Sequence, residues 1–245
     1  MLSSYGKREW ITILLIGVMI SATVLVFRIH WWPLAAVVAV ATLALLAFFR
    51  DPNRSVPSQR GVMVSPADGV VSSVHQVEGF EPLGEAAQCV RIFLSVLDVH
   101  VNRSPCHGLV RSVTHRPGKH TNALNPDSAE VNEAVTTLLV HPTRKHPVAA
   151  VRQVAGLIAR TIVCGCKEGD ILQRGQRYGL IKFGSTTELY VPLSASPRVL
   201  VQRGQRVRGG ETLLMEIKGA PGTGLSDDPE PEGAGPAPVT VAPVA

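Results

Sequence analysis

A glycine–serine pair between two strand-like runs is the part of the sequence best suited to nucleophilic chemistry. Gly184 and Ser185 lie in the segment FGSTTEL, residues 183–189, and a serine after a glycine in a tight turn is a candidate nucleophile. The Gly-x-Ser-x-Gly elbow of serine hydrolases is absent, so no hydrolase site can be built here. A self-directed reaction is left open, because a glycine carbonyl is little shielded and the Ser185 hydroxyl could attack it. The alternative is a plain hairpin turn or bulge.

The histidines and cysteines do not form a metal-binding pattern. No pair of histidines has the spacing of a metalloprotease helix or a zinc finger, and Cys164-Gly165-Cys166 is tighter than a Cys-x-x-Cys knuckle. We therefore predict no metal site and expect these two cysteines to be small core residues. The net charge of +5 is mild and no basic cluster interleaves with aromatic residues, which argues against nucleic acid as a partner.

Two apolar runs near the start of the chain predict a membrane hairpin over residues 1–50, either spanning the bilayer or re-entrant. Trp10–Phe27 and Leu34–Phe49 contain no charged residue, and their 18 and 16 residues approach the ~17 that a helix needs to cross the hydrocarbon core. Pro33 can open the second helix at its first turn. Basic residues flank both runs, and the positive-inside rule then places both ends in the cytoplasm. A cleavable signal peptide and two buried helices of a soluble domain are the alternatives.

The rest of the chain has the pattern of a β domain between a linker and a tail. Residues 51–61 are polar and contain prolines, whereas residues 62–218 hold short β-branched runs separated by glycine and proline. Residues 219–245 are rich in proline, glycine and alanine, which is typical of disorder. With 45% hydrophobic residues and 18% charged residues, the chain as a whole is not a disordered one.

A short internal repeat favours a barrel-sandwich architecture for this mainly β domain. Residues 169–176 (GDILQRGQ) resemble residues 201–210 (VQRGQRVRGG), and each predicts a strand, a turn with glycine and a short apolar return. Repeats of this kind are similar to those of biotinyl and lipoyl carrier domains. The carrier lysine motif is missing, because two residues separate Met215 from Lys218. The repeat therefore supports the architecture and not a swinging arm.

Five segments of the chain form a pattern that none of them carries alone. They are FFRDPNR (48–54), VSPADGVV (64–71), LSVLDVHVNRSP (94–105), VAGLIAR (154–160) and the Gly184–Ser185 pair. In this order the set resembles the phosphatidylserine decarboxylase family, in its short, single-domain bacterial and archaeal branch. The resemblance covers roughly residues 48–215.

The resemblance implies a proenzyme that makes its own cofactor. In the family, the serine that matches Ser185 cleaves the Gly184–Ser185 bond through an ester, and elimination and hydrolysis leave a pyruvoyl group. The products here would be a heterodimer of a large subunit, residues 1–184, and a small subunit, residues 185–245, with a higher oligomer left open. The pyruvoyl carbonyl would form a Schiff base with phosphatidylserine and release CO₂ to give phosphatidylethanolamine. Such a carboxy-lyase would lie at the cell membrane with its catalytic domain on the cytoplasmic face.

The resemblance also implies roles for three polar residues. Asp68 matches the family acid that orients a histidine in the self-cleavage triad, and His100 matches the first histidine of the family's Tyr-His-Arg-x-His stretch, a general base or proton donor. The second histidine of that stretch is Arg103 here. Either His100 serves both steps, or Arg103 holds the substrate carboxylate or phosphate. Without this context Asp68 is a turn aspartate and His100 a solvated loop histidine.

Two alternative functions are left open by the sequence. One is a decarboxylase of another serine-headgroup lipid, such as an archaetidylserine-like ether lipid. The other is a non-enzymatic, membrane-tethered barrel-sandwich module that binds a partner or a lipid. An uncleaved chain would favour the module, and a break between Gly184 and Ser185 would favour an enzyme.

Overall fold

The computed structural model describes residues 1–27, 31–121, 128–156, 161–182 and 185–217. The chain divides into two units, Met1–Asn53 and Arg54–Ala245. The prediction of a mainly β protein with an N-terminal apolar helix is confirmed. The predicted boundaries of the hairpin, linker, β domain and tail stay predictions, and the tail lies outside the described residues.

The first unit consists of two apolar helices. They are α1 (Lys7–Phe27) and α2 (Trp32–Phe48), and Pro33 lies in the first turn of α2, as predicted. Among the described helices, the stretch Ser4–Val26 alone is long and apolar enough to cross a membrane, by length and composition, whereas α2 is shorter. Residues 28–30 of the predicted interfacial turn lie outside the described residues.

Close packing joins the two helices to each other. Gly17 of α1 lies directly against the Thr42 side chain of α2, and there is no room for a Cβ atom at this position. At the other end of the unit, the backbone N–H of Ser3 donates to the Phe49 carbonyl at 2.8 Å. The chain start is therefore tied to the residue that follows α2, and the unit is a closed hairpin.

The described residues of the second unit form three antiparallel sheets. An eight-stranded sheet has the order β13-β2-β3-β11-β7-β6-β5-β9, and two three-stranded sheets have the orders β1-β14-β12 and β4-β10-β8. A short helix, α3 (Ser128–Val131), follows β5. The strands are β1 (Val62–Val64), β2 (Gly69–Phe80), β3 (Glu85–Leu94), β4 (Val101–Arg103), β5 (Gly108–Arg116), β6 (Ala134–Val140), β7 (Pro147–Val154), β8 (Ile162–Cys164), β9 (Ile171–Leu172), β10 (Arg177–Ile181), β11 (Ser185–Pro192), β12 (Pro197–Val199), β13 (Arg206–Val207) and β14 (Leu213–Ile217).

The large sheet separates two apolar clusters, and β11 lies between them. Every residue of β11 is buried. Leu189 and Val191 pack in the larger cluster, whereas Tyr190 packs in the smaller one, because successive side chains of a strand point to opposite faces. By the same alternation Ser185 and Thr187 lie on the face of the larger cluster.

The internal repeat corresponds to a repeated local structure. The QRGQ turns at residues 173–176 and 202–205 each have the last glutamine side chain accepting from the backbone N–H of the first, at 2.8 and 3.2 Å. Two further segments match in the same way, Ser65–Gly69 and Ser104–Gly108. In each, the serine hydroxyl donates to the carbonyl two residues later, at 2.6 and 2.8 Å. The β domain thus contains two pairs of matching local turns, with Asp68 in one serine segment where the other has His107.

Candidate active site

Ser185 occupies the first position of the central strand β11. It pairs with Leu94 at the end of β3 and is fully buried. Its Oγ has no hydrogen-bond partner among the described residues. A buried hydroxyl without a partner loses the bonds it would make to water, at a cost of about 1–3 kcal/mol. Ser185 therefore presents an unpaired hydroxyl, and Gly184, the other half of the predicted cleavage site, lies outside the described residues.

A buried polar network lies on the same face, two residues beyond Ser185. The Asn102 amide donates to Thr187 Oγ1 at 3.1 Å, and the Gln153 amide donates to Asn102 Oδ1 at 2.8 Å. These bonds fix β4 across β11 and β7. None of these three residues was predicted from the sequence, although Asn102 lies between His100 and Arg103, which were.

His100 is fully buried just before β4, in the segment that Asn102 holds in place. Its Nδ1 lies 2.9 Å from the Asp98 carbonyl oxygen. Since a carbonyl oxygen only accepts, Nδ1 carries the proton, and in the neutral ring Nε2 is then the basic nitrogen. The backbone N–H of Ile181 donates to the His100 carbonyl at 3.2 Å, which positions the residue from the other side.

Asp68 lies in the turn that leads into β2. One carboxylate oxygen accepts from Arg54 Nη2 at 2.7 Å and the other from the Gly209 backbone N–H at 2.8 Å. Burial raises the pKa of Asp68 above its usual value, and the Gly209 and Arg54 contacts oppose that rise only in part. Within the described part of the chain its carboxylate makes no hydrogen bond to His100.

The residue after Asp68 must be glycine. Gly69 has a φ of +151°, and a Cβ atom there would collide with the Phe93 carbonyl of β3. This close approach brings the Asp68 turn to the end of β3, where Leu94 pairs with Ser185. Asp68 and Ser185 therefore flank the same strand end, and two strand spacings put their backbones roughly 10 Å apart.

Arg103 is buried at the end of β4. Its Nη1 donates to the Gly175 carbonyl at 3.2 Å, and its side chain packs against Gly210, where a Cβ atom would come within 2.9 Å of Arg103 Cδ. Its backbone N–H donates to the Pro66 carbonyl at 2.9 Å, two residues before Asp68. The fold thus joins the Asp68 and His100–Arg103 segments to each other and to the two strands at Ser185.

Comparison with known proteins places this arrangement in a family. The sequence model of the phosphatidylserine decarboxylase family matches residues 42–215. The phosphatidylserine decarboxylase proenzyme of Solidesulfovibrio magneticus is 44% identical over 204 residues, which cover 82% of this chain and 92% of the relative. The chain belongs to the phosphatidylserine decarboxylase family. Two further phosphatidylserine decarboxylase proenzymes support this assignment. That of Symbiobacterium thermophilum is 45% identical over 202 residues, which cover 82% of this chain and 92% of the relative. That of Rhodococcus jostii is 49% identical over 181 residues, which cover 71% of this chain and 73% of the relative.

Membership of this decarboxylase family confirms the predicted resemblance and the prediction of an enzyme. The matched region contains the Asp68 turn, the His100–Arg103 segment and Ser185. Among the described residues, no group of three or more His, Cys, Asp or Glu side chains is placed to hold a metal ion.

A second polar cluster of this decarboxylase lies on the opposite face of the large sheet, and it was not predicted from the sequence either. Glu188 of β11 lies between Arg91 of β3 and Arg152 of β7, directly across the three strands. Its Oε2 accepts from Arg152 Nε at 2.6 Å, and its Oε1 lies 3.5 Å from Arg91 Nε. The Tyr190 hydroxyl also donates to Glu188, at 2.8 Å. This ionic row ties together the strands that position Ser185.

Proposed function

We propose that this chain is a phosphatidylserine decarboxylase that generates a pyruvoyl group from Ser185 by cleaving the Gly184–Ser185 bond. The observation that carries the proposal is the Ser185 hydroxyl, buried at the start of a central strand without a hydrogen-bond partner among the described residues. An unpaired buried polar group is rare in native proteins, and a catalytic role is one of the few explanations for it. Ser185 therefore fits the group from which the cofactor is made.

The cleavage uses an atom of the chain as its nucleophile. The Ser185 Oγ attacks the Gly184 carbonyl carbon, the C–N bond breaks, and an ester joins the two residues. Removal of the Ser185 α-proton then expels the Gly184 carboxylate from Cβ and leaves a dehydroalanine. Water hydrolyses this enamine to the pyruvoyl group and ammonia. The products are residues 1–184 and residues 185–245, which stay together as a heterodimer.

We assign His100 as the base that takes the Ser185 proton. Its Nδ1 proton is bound by the Asp98 carbonyl, so the basic nitrogen of the neutral ring is Nε2. We assign Asp68 as the acid of the site, because its negative charge favours the imidazolium that forms on His100.

The proposed substrate is phosphatidylserine at the cytoplasmic face of the cell membrane. Arg103, buried and always charged, is assigned to the carboxylate or phosphate of the headgroup. Once formed, the pyruvoyl carbonyl supplies the electron sink for loss of CO₂, and the product is phosphatidylethanolamine. The apolar helix Ser4–Val26 supports the membrane location, and the basic flanks of the hairpin support the cytoplasmic face.

Intact-mass analysis of the purified chain tests the cleavage. We expect two chains whose masses correspond to residues 1–184 and to residues 185–245 with Ser185 converted to pyruvoyl. Ser185→Ala should abolish both the break and CO₂ release. Thr186→Ala is the matched control, because the Thr186 hydroxyl is equally buried and also has no partner among the described residues, yet lies on the other face of β11. Cleavage of the Ser185→Ala chain would refute the proposal.

Lipid profiling of the matured protein tests the substrate. Phosphatidylserine should release CO₂, and an ether-linked serine lipid presented in the same vesicles should react more slowly. The reverse order would assign the chain to archaetidylserine-like lipids. A chain that stays intact and releases no CO₂ from either lipid would favour a non-enzymatic binding module.

A further inference from the structure

An exposed apolar loop connects the two strands that carry the site. Residues 95–98, here called the 95–98 loop, follow β3 and lead into the His100 segment. Val96 is exposed, and Leu97 is 82% exposed, whereas Leu94 and Val99 on either side are buried. Val96 and Leu97 are adjacent, so together they form a contiguous exposed apolar surface, and surfaces of this kind mark interaction sites when they are not covered by the domain itself.

Hydrogen bonds hold this loop in one conformation. Asp98 Oδ2 accepts from both the backbone N–H and the hydroxyl of Ser95, at 2.8 and 2.7 Å. The Asp98 backbone N–H donates to the Ser95 carbonyl at 2.9 Å, and Arg206 Nη1 donates to Asp98 Oδ1 at 3.0 Å. The exposure of Leu97 is therefore built into the fold rather than the result of a loose loop.

The loop lies directly against the candidate active site. Leu94, the residue before it, pairs with Ser185, and the carbonyl of Asp98 binds the His100 ring. Leu97 is therefore close along the chain both to Leu94, the strand partner of Ser185, and to His100.

Exposed cationic side chains lie on the edge strand β13 and in the residues just before and after it, and Arg206 of this strand contacts the loop. Arg206, which is bonded to Asp98, has a side chain that is 73% exposed, and Arg208 is similarly exposed. Arg203 in the preceding turn is exposed too. Apolar side chains beside a row of arginines match the boundary of a bilayer, where acyl chains lie below anionic headgroups.

We propose that the 95–98 loop is a bilayer-contacting element that inserts Leu97 and Val96 among the acyl chains while Arg203, Arg206 and Arg208 bind anionic headgroups. This contact presents the site to a lipid headgroup that stays in the membrane. The inference rests on the proposed function, because it concerns delivery of the same lipid to the same site.

A charge introduced at Leu97 tests this proposal. The full chain is reconstituted in phosphatidylcholine vesicles and assayed with two substrates: long-chain phosphatidylserine in the bilayer, and water-soluble dihexanoyl-phosphatidylserine added from outside. Leu97→Asp should lower kcat/KM for the bilayer substrate about tenfold, as expected for loss of one buried leucine, and leave kcat/KM for the soluble substrate unchanged. Ile171→Asp is the control, since Ile171 is also an exposed apolar residue but lies on β9, at the other end of the strand order.

The two substrates separate the outcomes. Equal activity of parent and Leu97→Asp on bilayer lipid, or an equal loss on both substrates, would overturn the loop proposal. No decarboxylation of either substrate by the parent chain would instead overturn the proposed function. An additional variant, Arg203→Gln, should weaken the stimulation of bilayer activity by anionic phosphatidylglycerol, and an unchanged stimulation would contradict the headgroup contact.

Discussion

Replacing Glu188 by glutamine should destabilise the β domain far more than the same replacement of an exposed glutamate. Glu188 is the single acid between Arg91 and Arg152 in the ionic row, and all three side chains are nearly fully buried. Burial alone would lower the pKa of Arg152, but Glu188 and Tyr190 raise it above its usual value, so the guanidinium stays charged. Glutamine keeps the size of the side chain and removes its charge. Two buried cations then lose their shared anion.

The expected magnitude follows from that burial. Removing one partner of a buried ion pair costs about 3–5 kcal/mol, because the remaining charge is left in a medium of low polarity. For a domain of this size each kcal/mol lowers Tm by about 2–4 °C, which gives a decrease of about 6 to 20 °C. Glu130 provides the matched control: its carboxylate contacts the same Arg152 at 3.1 Å, but its side chain is 69% exposed. Glu130→Gln should cost at most about 1 kcal/mol.

Thermal unfolding of the detergent-solubilised full chain, followed by near-ultraviolet circular dichroism, measures both effects. The double variant Glu188→Gln/Arg152→Met should lose less stability than the sum of its single variants, because the second change removes one of the cations left unpaired by the first. Equal Tm decreases for Glu188→Gln and Glu130→Gln would refute the reasoning. Additivity in the double variant would refute it as well.

Three further predictions concern the site and its surroundings. The raised pKa of Asp68 means that its stabilising contribution is complete below the unfolded value of 3.8 and is lost as pH rises through the folded value; the Tm of Asp68→Asn relative to that of the parent should therefore increase as pH rises above 3.8, and self-cleavage, followed on gels, should be lost. Gly69→Ala should destabilise the domain by roughly 1–3 kcal/mol or more, measured by urea unfolding, because of its φ and its contact with Phe93. The thiol of Cys166, 3.4 Å away, lowers the pKa of Cys164 to about 7, so alkylation of Cys164 mapped by mass spectrometry should have its midpoint there and shift to higher pH in Cys166→Ala.

Each of these three has a contrary outcome. A Tm difference for Asp68→Asn that does not vary with pH would show that the carboxylate titrates alike in both states. A Gly69→Ala chain of parental stability would contradict the close backbone approach. An alkylation midpoint that is unchanged in Cys166→Ala would contradict the thiol–thiol contact.

Local patterns were enough to predict the elements but not their lateral contacts. The β-branched runs within residues 62–218 predicted strands, and Pro33 predicted the start of α2, because strand and helix signals lie within a few neighbouring residues. The strand β6 (Ala134–Val140) was not predicted, although it pairs with both β5 and β7.

The residues of the candidate site also fall into two groups, those that could be predicted from the sequence and those that could not. Ser185, Asp68, His100 and Arg103 were selected because family motifs mark them in the sequence. Their supporting groups were missed, because Asn102, Gln153 and Thr187 come from three distant segments and meet only through strand register. The ionic row of Glu188 depends on register across three strands in the same way, and register is set by packing of the whole sheet rather than by local sequence.

The position of β11 has a consequence for the matured protein. Cleavage before Ser185, as proposed, would leave a small subunit whose strand β11 runs between β3 and β7 of the large subunit, while its β13 closes one edge of the same sheet. Its β14 would likewise stay hydrogen-bonded to β1 of the large subunit. Strands of the two subunits would therefore be hydrogen-bonded to each other in the eight-stranded sheet and in the β1-β14-β12 sheet. Separating the subunits would require unfolding both of these sheets. The bond must therefore break after folding, because β3 and β7 of the large subunit are joined within the sheet only through β11 of the small one.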